Sequence, residues 1–502
     1  MASRLSDSLH FVMIPLMAQG HMIPMFDIAR ILGERGIAST IYTTPLNASR
    51  FRGTMSRARE LRYPIRLVEV PFRSKEVGLP DGCENLDTLP SPDLLQKFHS
   101  AVEKMQEPVE DHIRLHDPPP SCIISDRALF WTAETARKFR VPRFLFNGMS
   151  CFSRLAMHNV EQHYHSSLGY YLNLPHKEPF EVLGMPQSFK IRKSQLPATF
   201  GPLPNLEDVR AKVHEAEKSS QGLIINSFDE LEQGCVGLYE KAINQKIWCI
   251  GPVSLCNKNE RDRLDRGNQA PEEVKRSMEW LDAMKPKTVI YACLGSLCRL
   301  VPDQLVELGK GLEASNRPFI WVMKTGGNER TLELEKWLRD ERFEERIQGR
   351  GFLIRGWAPQ LEILSHRSIG AFLMHCGWNS TLEGMCSGIP MITWPQFAEQ
   401  FVNEAMVVDV LRIGVRVGVD MAVKFGEEAK VGVLVKEGQV LRAIEEVMSS
   451  GEEGEERRKR AIEYSEKGRK AVEDGGSSRS NLSQLIQYVM QELKRQEDID
   501  DV

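Results

Sequence analysis

Short runs of uninterrupted apolar residues, each followed by apolar residues at helical spacing, recur along most of this chain. Residues 9–16 form the first run. Residues 23–32 then repeat apolar positions at helical intervals and stop at Gly36, and residues 37–43 form the next run. Residues 121–125, 143–146 and 222–226 repeat the pattern. A strand apolar on both sides must be covered on both sides, which a parallel sheet with helices on each face achieves. Between residues 257 and 269 the composition turns polar and charged, as in an interdomain linker. A second series then begins, with strands at 288–294, 319–323 and 369–374 and a helix at 304–314. A chain of 502 residues is too long for one ordinary core. The expected fold is α/β, with two doubly wound parallel-sheet domains: 1–251, a linker at 252–270, and 271–480. Residues 481–502 are expected to form a final amphipathic helix and tail. Its apolar positions 482, 485, 486, 489 and 493 would pack back on the first domain. Ligands of open α/β folds bind at the carboxyl edges of the strands, so a crevice there is the place to look for a site.

Bulk composition narrows the classes. A hydrophobic content of 41% with 27% charged residues is that of a water-soluble globular protein, and a net charge of −4 gives no reason to expect nucleic acid. No leader with a cleavage site and no apolar run of membrane-spanning length is visible. Ten cysteines lie scattered, without a CxxC pair and several within strand-like runs, as expected of reduced thiols in a cytoplasmic protein. A monomer is expected.

The chemistry concentrates between Trp357 and Gln400. His375-Cys376-Gly377-Trp378-Asn379-Ser380 follows the apolar run 369–374, where a strand should turn into a helix. Gly377 lets a ligand approach the backbone, and Asn379 and Ser380 suit the start of a helix beginning at Thr381. A helix start there would present amides and a positive dipole end to a diphosphate, with His375 as a further donor. Trp357, followed by Ala358-Pro359-Gln360, could stack a base. Glu383 lies one turn after Asn379 and could accept two ribose hydroxyls. Glu399 and Gln400 could hold sugar hydroxyls, and Gly295-Ser296, at the end of another strand, could touch phosphate. Each residue taken singly has an ordinary structural role as well; their combination suggests a nucleotide-sugar site.

From Trp357 to Gln400 is 44 residues. In length and content this stretch resembles the plant secondary-product glycosyltransferase box of the family-1 UDP-glycosyltransferases. WAPQ, HCGWNS, the following glutamate, GxP, WP and the final acid–Gln pair all fall in place. Asn226-Ser227-Phe228-Asp229-Glu230-Leu231-Glu232, Gly251-Pro252, Trp280-Leu281-Asp282 and Gly295-Ser296-Leu297 are similar to the family too. The resemblance implies a GT-B fold whose second domain binds a UDP-sugar. Trp357 would stack on uracil and Glu383 would bind ribose. His375, Asn379 and Ser380 would hold the diphosphate, and Glu399 and Gln400 the sugar. The final Gln leans toward UDP-glucose as co-substrate; no metal or other cofactor is implied.

Transfer to a hydroxyl needs a base. His21 directly follows the first strand, at the carboxyl edge of the sheet and ahead of a helix expected over 22–35. An imidazole there could take the acceptor's proton, help worth about 10²–10⁴ in rate. Asp126, at the end of the run 121–125, could hold the imidazole Nδ1–H and stabilise the imidazolium. As a lone Asp it could equally cap the helix expected near Leu129. The resemblance selects the same two residues. Together they imply one in-line displacement with inversion. The only Asp-x-Asp triplet is Asp498-Ile499-Asp500 in the tail, which is read as solvated charge.

Two other classes fit less well. The one G-x-G-x-x-A match, at residues 309–314, lies inside a helical pattern rather than at a strand-to-helix turn, against a nicotinamide dehydrogenase. A small-molecule carrier would need a crevice but not His21 with Asp126. The acceptor is written in no motif. Phe130, Met149, Phe152 and residues 80–100 and 185–205 are the expected lining, and their apolar character suits a lipophilic aglycone. A flavonoid or similar phenol is the first expectation. A triterpenoid or steroid-like alcohol follows, and C-glucosylation of a phenolic ring is a further alternative.

Overall fold

The apolar runs form strands in two parallel sheets. The computed structural model describes residues 9–164, 178–197, 207–268, 272–324, 329–424 and 426–500. In chain order the strands are β1 His10–Ile14, β2 Ala38–Thr43, β3 Ile65–Glu69, β4 Cys122–Asp126, β5 Arg143–Asn147, β6 Pro179–Glu181, β7 Lys190–Arg192, β8 Gly222–Ile225, β9 Lys246–Cys249, β10 Val289–Cys293, β11 Phe319–Met323, β12 Gly351–Arg355, β13 Ile369–Met374, β14 Met391–Thr393 and β15 Gly414–Arg416. The helices used below are α1 Gln19–Gly33, α2 Arg52–Glu60, α3 Cys151–Tyr164, α4 Glu260–Leu264, α5 Gln360–Ser365, α6 Trp378–Cys386, α7 Gln400–Ala405 and α8 Ser477–Asp500.

The chain divides into two units. One comprises Met1–Cys151, Leu203–Gln269 and Arg469–Val502, and the other Phe152–Pro202 and Ala270–Gly468. The first holds a seven-stranded sheet in the order β3-β2-β1-β4-β5-β8-β9, and the second a six-stranded sheet in the order β12-β11-β10-β13-β14-β15. Every pairing in both is parallel. A two-stranded antiparallel ribbon, β6-β7, belongs to the second unit.

In each large sheet the strand order reverses once, between β1 and β4 in the first and between β10 and β13 in the second. Chains leaving the carboxyl ends of such neighbours diverge to opposite faces and leave a crevice. Met13 pairs with Ile124 and Ile14 with Ser125, which brings the ends of β1 and β4 level. Cys293 pairs with Met374, which does the same for β10 and β13.

The first sheet is covered on one face by α1 and α8, with Phe11, Met13, Ile28, Phe144 and Trp248 packed against Leu482, Leu485 and Val489. Its other face buries Val12, Ile14, Tyr42, Phe98 and Ile123. In the second unit Tyr291 stacks on Phe372 at 5.1 Å between adjacent strands. The glycines of the residue 309–314 match lie within a helix, Pro302–Ala314. A Cβ on Gly309 would meet Trp321 at 3.0 Å, and one on Gly311 would meet Val440 at 2.5 Å. They permit close packing rather than a phosphate turn.

One expectation changes. The segment read as a polar linker is largely folded: it forms α4, and its charges are paired onto α1 and α2. Paired charges bury well, so low hydrophobicity there reflects an ion-pair interface and not a loose tether. Residues 269–270 of the linker lie outside the described residues. Among the described residues no helix is long and apolar enough to cross a membrane.

Candidate functional site

The first cluster stands at the β1/β4 reversal. α1 begins at Gln19, so His21 lies within its first turn and not ahead of it. The start moves because Met17-Ala18 already turn: the Ala18 amide bonds the Leu16 carbonyl, and the Ala18 carbonyl accepts the amides of His21 and Met22. Asp126 is the last residue of β4, 1% exposed. Its Oδ2 lies 2.6 Å from His21 Nδ1 while Oδ1 accepts the Ala128 amide at 2.9 Å. The nearest helix starts only at Thr132, so Asp126 closes a tight turn rather than capping a helix. With Nδ1 facing the carboxylate, the imidazole presents Nε2 as its basic atom. About a third of the His21 side chain is exposed.

Gly148 follows β5 and backs the same ring: a Cβ there would sit 3.6 Å from His21 Cε1. Sequence reasoning missed it, although a Gly directly after a strand end is a signal for close approach. Met149, beside it, is half-buried and donates its amide to Asn147 Oδ1 at 3.1 Å. Phe130 is half-buried under Lys212, whose Nζ stands 5.0 Å from the ring. Phe152 is 1% exposed, packs on Phe189 at 5.0 Å and belongs to the second unit. Of the other expected lining, residues 80–100 and 185–197 are described, and 198–205 lie outside the described residues.

The second cluster stands at the β10/β13 reversal. Gly295 and Ser296 follow β10, and His375 follows β13. The His375 ring is gripped between two glycines: a Cβ on Gly295 would meet its Cε1 at 2.5 Å, and one on Gly377 its Nε2 at 2.3 Å. Gly295 has φ +79°, which favours glycine independently. Burial lowers the His375 pKa to about 4, so the ring is neutral near pH 7 and offers a hydrogen bond, not a charge. Its Nδ1 is buried without a hydrogen-bond partner, the state of a group kept for a ligand.

α6 starts at Trp378, with Gly377 as its cap, one turn earlier than expected. The Thr381 amide makes the first ladder bond, to the Gly377 carbonyl at 2.9 Å. Asn379 and Ser380 therefore contribute first-turn amides and are not capping side chains, because Cys376 adopts a left-handed φ of +62° and turns the chain before them. That conformation costs a non-glycine residue about 1–2 kcal/mol. It is held by buried Asn403 on α7, whose Nδ2 donates to the Cys376 carbonyl at 2.8 Å. Asn403 Oδ1 in turn accepts Ser153 Oγ of α3 at 2.5 Å. Asn403 was not foreseen either; its one signal is its place a helical turn after Gln400.

Glu383 is 5% exposed, and Gln360 at the start of α5 donates to its Oε2 at 2.7 Å and to Ser380 Oγ at 3.1 Å. Trp357 lies two residues beyond β12 and is half-buried, its indole N–H buried without a partner, while Ala358 is buried. Trp378, by contrast, is 2% exposed and a core residue. Glu399 caps α7, and Gln400 Oε1 accepts the amides of Gln396 and Phe397 at 2.8 and 3.2 Å. The Gln400 carbonyl is thereby committed to its own loop. A neighbouring pocket, lined by Arg299, Val301, Trp394, Phe397 and Leu434 among others, includes none of the expected site residues. Among the described residues no group of three or more His, Cys, Asp or Glu is placed to hold a metal ion.

Two parallel sheets, each with polar residues gathered at its strand-order reversal, define a transferase of the GT-B class, and known proteins agree. The family profile "UDP-glucoronosyl and UDP-glucosyl transferase" matches residues 265–427. The chain is 51% identical over 499 residues to UDP-glycosyltransferase 73D1 of Arabidopsis thaliana, covering 97% of each. It is 48% identical over 488 residues to UDP-glycosyltransferase 73C5 of the same plant, again covering 97% of each. Among solved structures, Glycyrrhiza uralensis UGT73P12, complexed with glycyrrhetinic acid 3-O-monoglucuronide, superposes with a TM-score of 0.89 at 33% identity, covering 98% of both chains. The chain belongs to the UDP-glycosyltransferase family, and its relatives place it with the plant UGT73 type.

Proposed function

We propose that this enzyme moves glucose from UDP-glucose to a hydroxyl of a small lipophilic plant metabolite, with inversion at the anomeric carbon. The carrying observation is the 2.6 Å contact between His21 Nδ1 and buried Asp126 at a strand-order reversal. His21 Nε2 takes the acceptor's proton as its oxygen attacks the anomeric carbon. The bond from that carbon to the diphosphate breaks, and UDP leaves with the electron pair. Asp126 orients the ring and stabilises the imidazolium.

On the donor side, Trp357 stacks on uracil and Glu383, held by Gln360, accepts from ribose. Ser296, Ser380, the first-turn amides of α6 and neutral His375 meet the diphosphate. Glu399 accepts from the sugar. Gln400, its carbonyl already engaged, serves the sugar through its NH2 end. Replacing Trp357 with alanine is expected to weaken UDP binding by about 1–3 kcal/mol in calorimetry, the worth of one stacked base. Unchanged affinity would remove the stacking role.

A flavonoid or similar phenol is the first acceptor class. A triterpenoid or steroid-like alcohol is the second, favoured by the conjugate bound to UGT73P12. The same conjugate makes UDP-glucuronic acid the donor to set against UDP-glucose. Ten free cysteines, most of them buried, suit a reducing compartment, and we place the enzyme in the cytoplasm as a monomer. The deciding experiment offers UDP-glucose, UDP-glucuronic acid and UDP-galactose to panels of phenols and polycyclic alcohols, with and without EDTA, and identifies products by NMR. The expected result is a β-glucoside formed equally well with EDTA. An α-glycoside, or donor hydrolysis with no acceptor product, would overturn the proposal.

A further inference from the structure

Residues 256–267 carry a dense set of contacts to the helix that bears His21. Asp27 of α1 is 3% exposed. Its Oδ2 accepts Arg266 Nε and Nη2 at 2.9 and 2.7 Å, and its Oδ1 accepts Asn257 Nδ2 at 2.9 Å. One turn on, Arg30 Nη2 donates to buried Asp262 Oδ2 at 2.5 Å, and Arg57 Nε of α2 donates to its Oδ1 at 3.1 Å. At the start of α1, Gln19 Nε2 donates to the Gly267 carbonyl at 3.2 Å, with Gln19 itself 4% exposed. The segment thus grips α1 at residues 19, 27 and 30.

The geometry of these grips matters for the dyad. At about 100° per residue, Gln19, Asp27 and Arg30 fall within about 80° of one another, whereas His21 stands about 200° from Gln19. The segment holds one side of α1 while Asp126 and Gly148 meet His21 on the other. The N-cap residue of this helix is Ala18, whose side chain makes no capping bond. The first turn is the part of a helix most prone to fray, and the imidazole rides on that turn. A base displaced by 1 Å can lose about 10² in rate.

We propose that residues 257–267 act as a strap that positions His21, with Asp27–Arg266 and Gln19–Gly267 as its two fastenings. Arg266 and Gln19 are positioning residues that act through His21, and the proposal rests on His21 being the base. The test compares Arg266→Ala, Arg266→Lys and Gln19→Ala, each alone and combined with His21→Ala, by steady-state kinetics over pH, UDP calorimetry and thermal unfolding. Arg266→Ala and Gln19→Ala are expected to lower kcat about 10-fold or more and shift the pH limb of kcat/KM, with UDP affinity held within about twofold. Arg266→Lys, which keeps the charge, should recover part of the rate. In the His21→Ala background the same changes should cost nothing further. Parallel loss of melting temperature, UDP affinity and kcat, or a full additional loss without His21, would overturn the strap. Wild-type turnover by His21→Ala alone would instead remove the base assignment.

Discussion

His21→Ala is expected to lower transfer to a hydroxyl acceptor by about 10²–10⁴ while leaving UDP-sugar affinity in place. The effect is large because an alcohol or phenol must lose its proton as the new bond forms, and the imidazole is paired to a carboxylate that is 1% exposed. The affinity is expected to be spared because the residues proposed for the donor all lie in the other unit. Asp126→Asn should also slow turnover, since an amide neither stabilises the imidazolium nor enforces the tautomer that leaves Nε2 basic. Single-turnover rates beside UDP calorimetry are the measurement. Wild-type turnover by His21→Ala would refute the base; lost UDP binding would show the residue to be needed for the fold of the site.

Gly377→Ala is expected to be the most damaging single-methyl change on the donor side. Gly377 has φ −63° and ψ 140°, which alanine adopts freely, so the backbone raises no objection. The added Cβ would stand 2.3 Å from His375 Nε2, and the ring cannot retreat because Gly295 backs it as closely. Overpacking of this kind costs about 1–3 kcal/mol, and each 1.4 kcal/mol is tenfold in affinity. UDP affinity should therefore fall about 10-fold or more. His375→Ala removes the clash, so Gly377→Ala combined with His375→Ala should bind UDP no worse than His375→Ala alone. Calorimetry on the three variants, with melting temperatures to exclude unfolding, checks this. Additive losses would mean that Gly377 acts on UDP without His375.

Much of this was legible in the residues, for identifiable reasons. The strands 319–323 and 369–374 emerge with the bounds read from their apolar runs, because burial on both faces leaves no polar residue to blur them. Helix starts were less legible. Both α1 and α6 begin earlier than expected, at Gln19 and Trp378, because backbone turns at Met17-Ala18 and at left-handed Cys376 set them rather than capping side chains. The segment 257–268 was misread because its partners Asp27, Arg30 and Arg57 lie some 200 residues away, and no local pattern announces a distant ion pair. Asn403 and Gly148 were missed for the same reason: each acts on a residue of a distant element, Asn403 on the Cys376 carbonyl and Gly148 on the His21 ring.

The last helix has a consequence for how the protein is made. Leu482, Leu485 and Val489 of α8 complete the apolar layer over Phe144 and Trp248, and Tyr488 meets Trp248 edge-on at 5.4 Å. The unit that contains β1 therefore closes its core only with residues that follow the whole of the other unit, whose residues all precede position 469. Nascent domains ordinarily fold in the order of their synthesis. Here the order inverts: the unit that ends at Gly468 is synthesised in full before the unit that bears His21 receives its covering helix, and until then that unit has an apolar face uncovered.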